Sequence, residues 1–183
     1  RMPADGRGWY DALRGLYRPD QLGLLLVAEA PPDPRSGPRR FFYAPALGPD
    51  NLYRGVAMAL YGEEAGFDAK RKSTYLGRMR TDGVWLIDAV EDPVNALSTS
   101  QRRRAIRSAV PGLIERCLEL APSVGVMICH TVVYDAVASP LREAGVRVLH
   151  DRALPFPLGN TRAAFVSGAR SALSSVGWTV TKV

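Results

Sequence analysis

The sequence predicts an α/β fold, a single three-layer α/β/α domain over residues 1–183 with a mainly parallel central sheet of about four strands. Three observations carry that prediction. Short, near-continuous apolar runs have the length and composition of strands buried on both faces. Segments with helical periodicity separate them, and Pro, Gly, Asn and Asp punctuate the joins. With 183 residues and 46% hydrophobic content the chain is long and apolar enough to bury a sizeable core.

In chain order, an amphipathic stretch from Trp9 to Tyr17 predicts a helix packed on ahead of the sheet. Leu22 to Ala28 reads as the first strand and opens into Glu29-Ala30-Pro31-Pro32-Asp33-Pro34, then Arg35 to Arg40, then Phe41-Phe42-Tyr43. Helices are predicted over Tyr53 to Tyr61 and Ala69 to Met79, before a second strand from Val84 to Val90. A long helix from Gln101 to Leu120 leads to the third strand, Val124 to Cys129, which ends at His130. A helix over Val132 to Ala144, a fourth strand over Val146 to Leu149 and a last helix from Thr161 to Val176 complete the alternation.

In an open α/β sheet, ligands bind beyond the carboxyl ends of the strands, so the loops that follow them are the place to look for chemistry. Glu29 stands where the first strand gives way to proline, a position that aims a carboxylate into a crevice. Asp88 interrupts the apolar run Leu86-Ile87-Asp88-Ala89-Val90, and a buried carboxylate is unfavourable by several kcal/mol (roughly) unless partnered or protonated. Of Phe41, Phe42 and Tyr43 at least one belongs to the core; Phe42 or Tyr43 is expected to form a flat wall for a planar ligand. His130 and His150 are candidates for acid or base work, with structural roles as the alternative. Arg102-Arg103-Arg104 is either a grip on phosphate or a solvated helix face.

The most distinctive segment is Leu154-Pro155-Phe156-Pro157-Leu158, followed by Gly159-Asn160-Thr161-Arg162. Two prolines one residue apart fix φ and lack donors, so the loop is stiff and projects its apolar side chains. Asn160 or Thr161 is expected to cap the last helix, bringing backbone donors and a positive dipole end beside that loop, where a phosphate fits.

Net charge is +6, with 24 Lys and Arg against 18 Asp and Glu, which makes a polyanion a reasonable partner. Cys117 and Cys129 are the only cysteines, too few for a disulfide framework, a four-cysteine zinc site or an iron-sulfur cluster, and both are expected as buried thiols. No metal or cofactor is expected. No apolar run has membrane-spanning length and no secretory segment precedes the first strand, so a cytoplasmic protein without membrane contact is expected. Walker loops, nucleophile elbows and dinucleotide fingerprints are absent.

Taken in order, these segments resemble the uracil-DNA glycosylase superfamily. Ala28-Glu29-Ala30-Pro31-Pro32 is similar to its first motif, an aromatic within Phe41 to Tyr43 to its base-stacking residue, and Asp88 stands at the place of its base-reading Asn. Leu154-Pro155-Phe156-Pro157-Leu158 matches the proline spacing and final leucine of its minor-groove loop. The resemblance implies a monomeric DNA glycosylase that flips and hydrolytically removes a damaged or deaminated base from double- or single-stranded DNA. Glu29 and Asp88 would be catalytic, Phe42, Tyr43 and Asp88 would hold the base, and Phe156, Leu158, Asn160, Thr161 and Arg162 would touch DNA. Three departures accompany it: Leu154 replaces the family histidine that stabilises the departing base, Ala30 replaces the water-orienting Asp of some members, and the four cysteines of the iron-sulfur branches are missing. An acceptor-only Asp88 in place of Asn either favours a base presenting an amino donor or serves to polarise water and stabilise the sugar cation. A catalytically silent DNA-binding member and a nucleoside- or nucleotide-processing α/β enzyme are the alternatives.

Overall fold

The computed structural model describes residues 6–33, 41–48 and 50–179. Three wholly buried strands, β1 (Leu24–Ala28), β2 (Val84–Asp88) and β3 (Gly125–Ile128), form an open parallel sheet in the order β2-β1-β3. Helices surround it: α1 (Gly6–Leu16), α2 (Asn51–Tyr61), α3 (Lys72–Thr81), α4 (Thr99–Leu120), α5 (Thr131–Glu143) and α6 (Arg162–Ser174). Buried Leu, Val and Ile dominate β1 and β2 because both faces are covered, as parallel strands require.

Register decides where the site lies. Ala28 pairs with Asp88 and Val27 with Ile128, so β1, β2 and β3 finish at the same level and release Glu29, Asp88 and His130 side by side. The ladder runs one step further on the β2 side, where Val90 N–H donates to the carbonyl of Glu29 at 2.8 Å.

The expected fourth strand, Val146 to Leu149, is reduced to a single bridge between Val126 and Val148. The reason lies in His150. Its Nε2 accepts from the backbone N–H of Ile128 at 3.0 Å, occupying the donor that the next rung of a strand would need. Its Nδ1 lies 2.7 Å from the carbonyl of Arg152, which fixes the proton on that nitrogen, and burial lowers its pKa below the usual histidine value. His150 is therefore a neutral structural splice between β3 and the following loop, which accounts for it without acid or base work.

The proline loop packs down between α2 and α6 because two helical positions carry no side chain. A Cβ on Gly55 of α2 would lie 2.7 Å from Cβ of Pro157, and one on Gly168 of α6 would lie 2.6 Å from Leu154. Leu154 and Pro157 face inward as a result, and Leu158 is left 51% exposed. At the other edge α1 closes over the aromatics: Tyr10 meets Phe41 edge-on at 4.7 Å and Tyr17 stacks on Tyr43 at 5.9 Å. Cys117 and Cys129 are buried free thiols, and burial pushes Cys129 up to about 12. No helix among the described residues is long and apolar enough to cross a membrane.

Candidate functional site

A cleft of about 270 Å³ opens beyond the carboxyl ends of the three strands. Glu29, Phe42, Asp88, His130, Phe156 and Leu158 all line it. Strand ends supply the two carboxylates and the histidine, Phe42 supplies the aromatic, and the proline loop supplies the apolar rim. Residues 34–40, which include Arg35 to Arg40 of the loop after β1, lie outside the described residues.

Asp88 is 5% exposed and carries the most perturbed acid of the site. Burial pushes its carboxyl up to about 6, against the opposing pull of Arg14 and Arg116, while neighbouring Glu29 adds to the rise. Oδ2 accepts from Arg14 at 2.8 Å, and Arg14 also reaches Asp11 at 2.8 Å. Arg116 holds the main chain instead, donating to the carbonyls of Asp88 and Ala89 at 2.9 and 3.0 Å. A second cleft of about 290 Å³, lined by Arg14, Trp85 and Arg116 among others, also includes Asp88 in its wall. Asp88 is thus shared by two clefts, and its counter-ion Arg14 lines the second of them.

Glu29 pairs with Arg102, which reaches it through Nη2 to Oε1 from the first turn of α4. That contact settles the arginine triplet: Arg102 belongs to the site, and Arg103 and Arg104 are exposed. A capping box, with Gln101 N–H on Ser98 Oγ at 3.3 Å and Ser98 N–H on Gln101 Oε1 at 2.9 Å, starts α4 where Arg102 can make this reach.

Phe42 is the aromatic that faces the cleft, with Phe41 beside it. The expectation for Tyr43 is corrected: it is buried, does not line the cleft, and its hydroxyl donates to the carbonyl of Leu86 at 2.9 Å while accepting from Leu86 N–H at 2.6 Å. It plugs the edge of β2, and burial drives its pKa far upward. Phe156 is half-buried with its ring 5.4 Å from that of His130, and Leu158 forms the exposed lip. Leu154, at 4% exposure, turns away from the cleft toward α6.

The capping role expected of Thr161 is also corrected. Thr161 precedes α6 without a side-chain cap, and its hydroxyl donates to the carbonyls of Phe156 at 2.6 Å and Leu158 at 3.1 Å, so it braces the proline loop from within. Asn160 is exposed and does not cap the helix either. Arg162 stands over Phe67 at 5.4 Å and donates to Asn51 Oδ1 at 3.2 Å, in a shallow depression adjoining the lip rather than in the cleft.

Sequence reasoning missed a fully buried ion pair at the cleft. Lys72, 0% exposed, donates to Asp50 Oδ2 at 2.7 Å and to the carbonyl of Phe41 at 3.3 Å, and lies over the Tyr53 ring at 4.8 Å. Asp50 lines the cleft, and its Oδ1 is buried without a hydrogen-bond partner. In the sequence an Asp just ahead of a helix reads as a cap, and Lys72 sits in a basic run that reads as surface; nothing local announces that they meet. Asn51 and Asn95 also line the cleft.

No family model, no curated protein and no solved structure matches this chain. The chemistry available at the cleft comes from its own residues: two adjacent carboxylates, a histidine, an aromatic wall and an apolar lip.

Proposed function

We propose that this chain is a DNA glycosylase-like protein, a divergent relative of the uracil-DNA glycosylase superfamily, that flips a damaged or deaminated base and hydrolyses its N-glycosidic bond. The observation that carries the reading is the convergence of Glu29, Asp88 and Phe42 on one cleft whose lip is the exposed Leu158. Acids beside an aromatic wall suit glycosidic cleavage of a planar base, and an exposed leucine on a proline-stiffened loop suits filling the gap the base leaves in the stack.

In this reading the base lies against Phe42. Arg102 holds Oε1 of Glu29 and leaves Oε2 to orient a water. Attack of that water on the sugar C1′ breaks the bond to the base nitrogen; the bonding electrons leave with the base, and the water proton passes to Glu29. Asp88, paired through Oδ2 with Arg14, faces the positive charge that develops on the sugar. The bridge at Val148 corresponds to the fourth strand of the family sheet. Right-handed crossovers in the order β2-β1-β3 set α2 and α6 against one face and α4 and α5 against the other, a three-layer arrangement. The protein works as a cytoplasmic monomer without a cofactor, and its arginines address DNA phosphates.

The pairing of Glu29 with Arg102 and the leucine at position 154 favour one second reading, a catalytically silent member that binds damaged or single-stranded DNA. Exposure of Leu158 weighs against a nucleoside- or nucleotide-processing enzyme, which has no use for an apolar lip. Base release from a panel of oligonucleotides bearing single lesions tests the choice. Release of a base supports the glycosylase, and lesion binding with no release on any substrate supports the silent binder.

A further inference from the structure

Phe67 is 56% exposed, the only exposed aromatic side chain among the described residues. Its exposure follows from the residue before it. The 3₁₀ turn Glu63–Gly66 presses onto α2 at Gly66, where a Cβ would lie 2.5 Å from Cγ of Met58, and Phe67 leaves that contact into solvent with its N–H on the carbonyl of Glu64 at 3.1 Å. Two guanidinium groups lie against the ring without covering it, Arg54 of α2 at 5.5 Å and Arg162 of α6 at 5.4 Å. Arg54 also donates to the carbonyl of Gly66 at 2.8 Å, so the backbone that carries the ring is held in place.

Positive charge is in excess around the ring. Phe67, Arg162 and Arg170 line a depression of about 480 Å³ in which Glu63 is the one acid. Arg54, Arg162 and Arg170 have no carboxylate partner among the described residues, and Nε of Arg162 and Nε of Arg170 are buried with no hydrogen-bond partner. A flat apolar face among unpaired guanidinium groups complements a chain that alternates planar bases with phosphates. In a duplex the base faces are stacked on one another, so the base that such a ring can take is an unpaired one. The depression also continues the strand-end cleft. Gly159 lines it and follows Leu158 of the lip, and Arg162 donates to Oδ1 of Asn51, a residue of the cleft wall, at 3.2 Å. A strand that leaves the cleft over Leu158 on this side meets Phe67 next.

We propose that Phe67, with Arg54, Arg162 and Arg170 around it, is a binding site for single-stranded DNA beside the cleft: an unpaired base stacks on the Phe67 ring and the arginines take the phosphates flanking that base. The role of the strand rests on the glycosylase reading, and the site deepens that reading by assigning it a single-stranded substrate.

The test needs no damaged base. Fluorescence anisotropy measures the binding of an undamaged oligothymidylate, of a strand of equal length made of abasic residues, and of an undamaged duplex by the parent, Phe67→Ala and Phe67→Trp. Phe67 is exposed, so its replacement leaves the core intact, and thermal melting verifies this. The parent is expected to bind oligothymidylate more tightly than either other ligand. Phe67→Ala should lose on the order of 5- to 100-fold on oligothymidylate and less than about twofold on the abasic strand and the duplex. Phe67→Trp, which keeps a stacking face, should bind as the parent does. Equal losses by Phe67→Ala on the base-bearing and abasic strands, no loss on either, or a parent that prefers the duplex overturns the site. Each of those results leaves base release by the cleft untouched, so the glycosylase reading survives them. Base-dependent binding through Phe67 by a protein that releases no base from any lesion upholds the site and defeats the glycosylase reading.

Discussion

Two buried carboxylates flank the same cleft and have opposite surroundings. Asp50 is locked to Lys72, and both side chains are essentially sealed from water at 1% and 0% exposure. Asp88 is bound to Arg14, whose side chain is 16% exposed at the border of a second cleft. The first pair is rigid and internal, with the lysine also tied to the carbonyl of Phe41, and so positions the aromatic wall. The second leaves an acid whose ionisation is unfavourable in a place that ligand can approach. Identical chemistry yields a structural lock in one case and a poised group in the other, and access to solvent makes the difference.

The largest effect should come from breaking the lock. Lys72→Met leaves Asp50 as an uncompensated buried charge and is expected to destabilise the protein by about 3 to 5 kcal/mol, read by urea unfolding. Asp50→Asn combined with Lys72→Met should recover most of that loss, because no unpaired charge remains. If the double variant is no better than the single one, the pair is not a unit.

Asp88 should behave in the opposite way. The rise of its pKa from 3.8 to about 6 corresponds to about 3 kcal/mol against ionisation. Its folded value lies above its unfolded one, so the native state holds more protons between about pH 4 and pH 6. Stability therefore falls as pH rises through that window and stays lower above it. Asp88→Asn removes this dependence and is expected to be more stable than the parent at pH 7 by about 1 to 3 kcal/mol, with the advantage closing as pH falls from 6 to 4. A constant difference from pH 4 to pH 7 contradicts a raised Asp88.

The proline loop supplies the next contrast. Gly55→Ala introduces a methyl 2.7 Å from Pro157 and should displace the loop at a loss of about 1 to 3 kcal/mol in thermal unfolding. Leu158→Ala, at a half-exposed lip, should change stability by less than about 0.5 kcal/mol while lowering affinity for lesion-bearing duplex. A large loss of stability there would mean that Leu158 is a packing residue.

How much of this was legible in the chain depended on whether a residue's partner is near it in sequence. Apolar runs marked β1, β2 and β3, and an acid inside such a run marked Asp88, because burial on both faces leaves a purely local pattern. Prolines marked the Phe156 and Leu158 loop by the same logic. The fourth strand failed because a side chain, that of His150, replaced a main-chain rung. Tyr43, Thr161, Arg102 and the Asp50–Lys72 pair were misread or unseen because their partners are tertiary or, for Thr161, within a loop of no regular pattern. Leu86, 43 positions from Tyr43, and Glu29, 73 from Arg102, leave no periodic trace in the sequence.

The central claim is that the strand-end cleft removes a base from DNA, and the most direct measurement is single-turnover base release by the parent and by Glu29→Gln on lesion-bearing duplexes, with binding to the same duplexes measured in parallel. Gln keeps the shape of Glu29 and lacks the carboxylate that receives the water proton. The account predicts release by the parent, a fall on the order of 10²-fold or more in the variant, and little change in affinity. Equal release by the two proteins, or release by neither with binding intact, contradicts it.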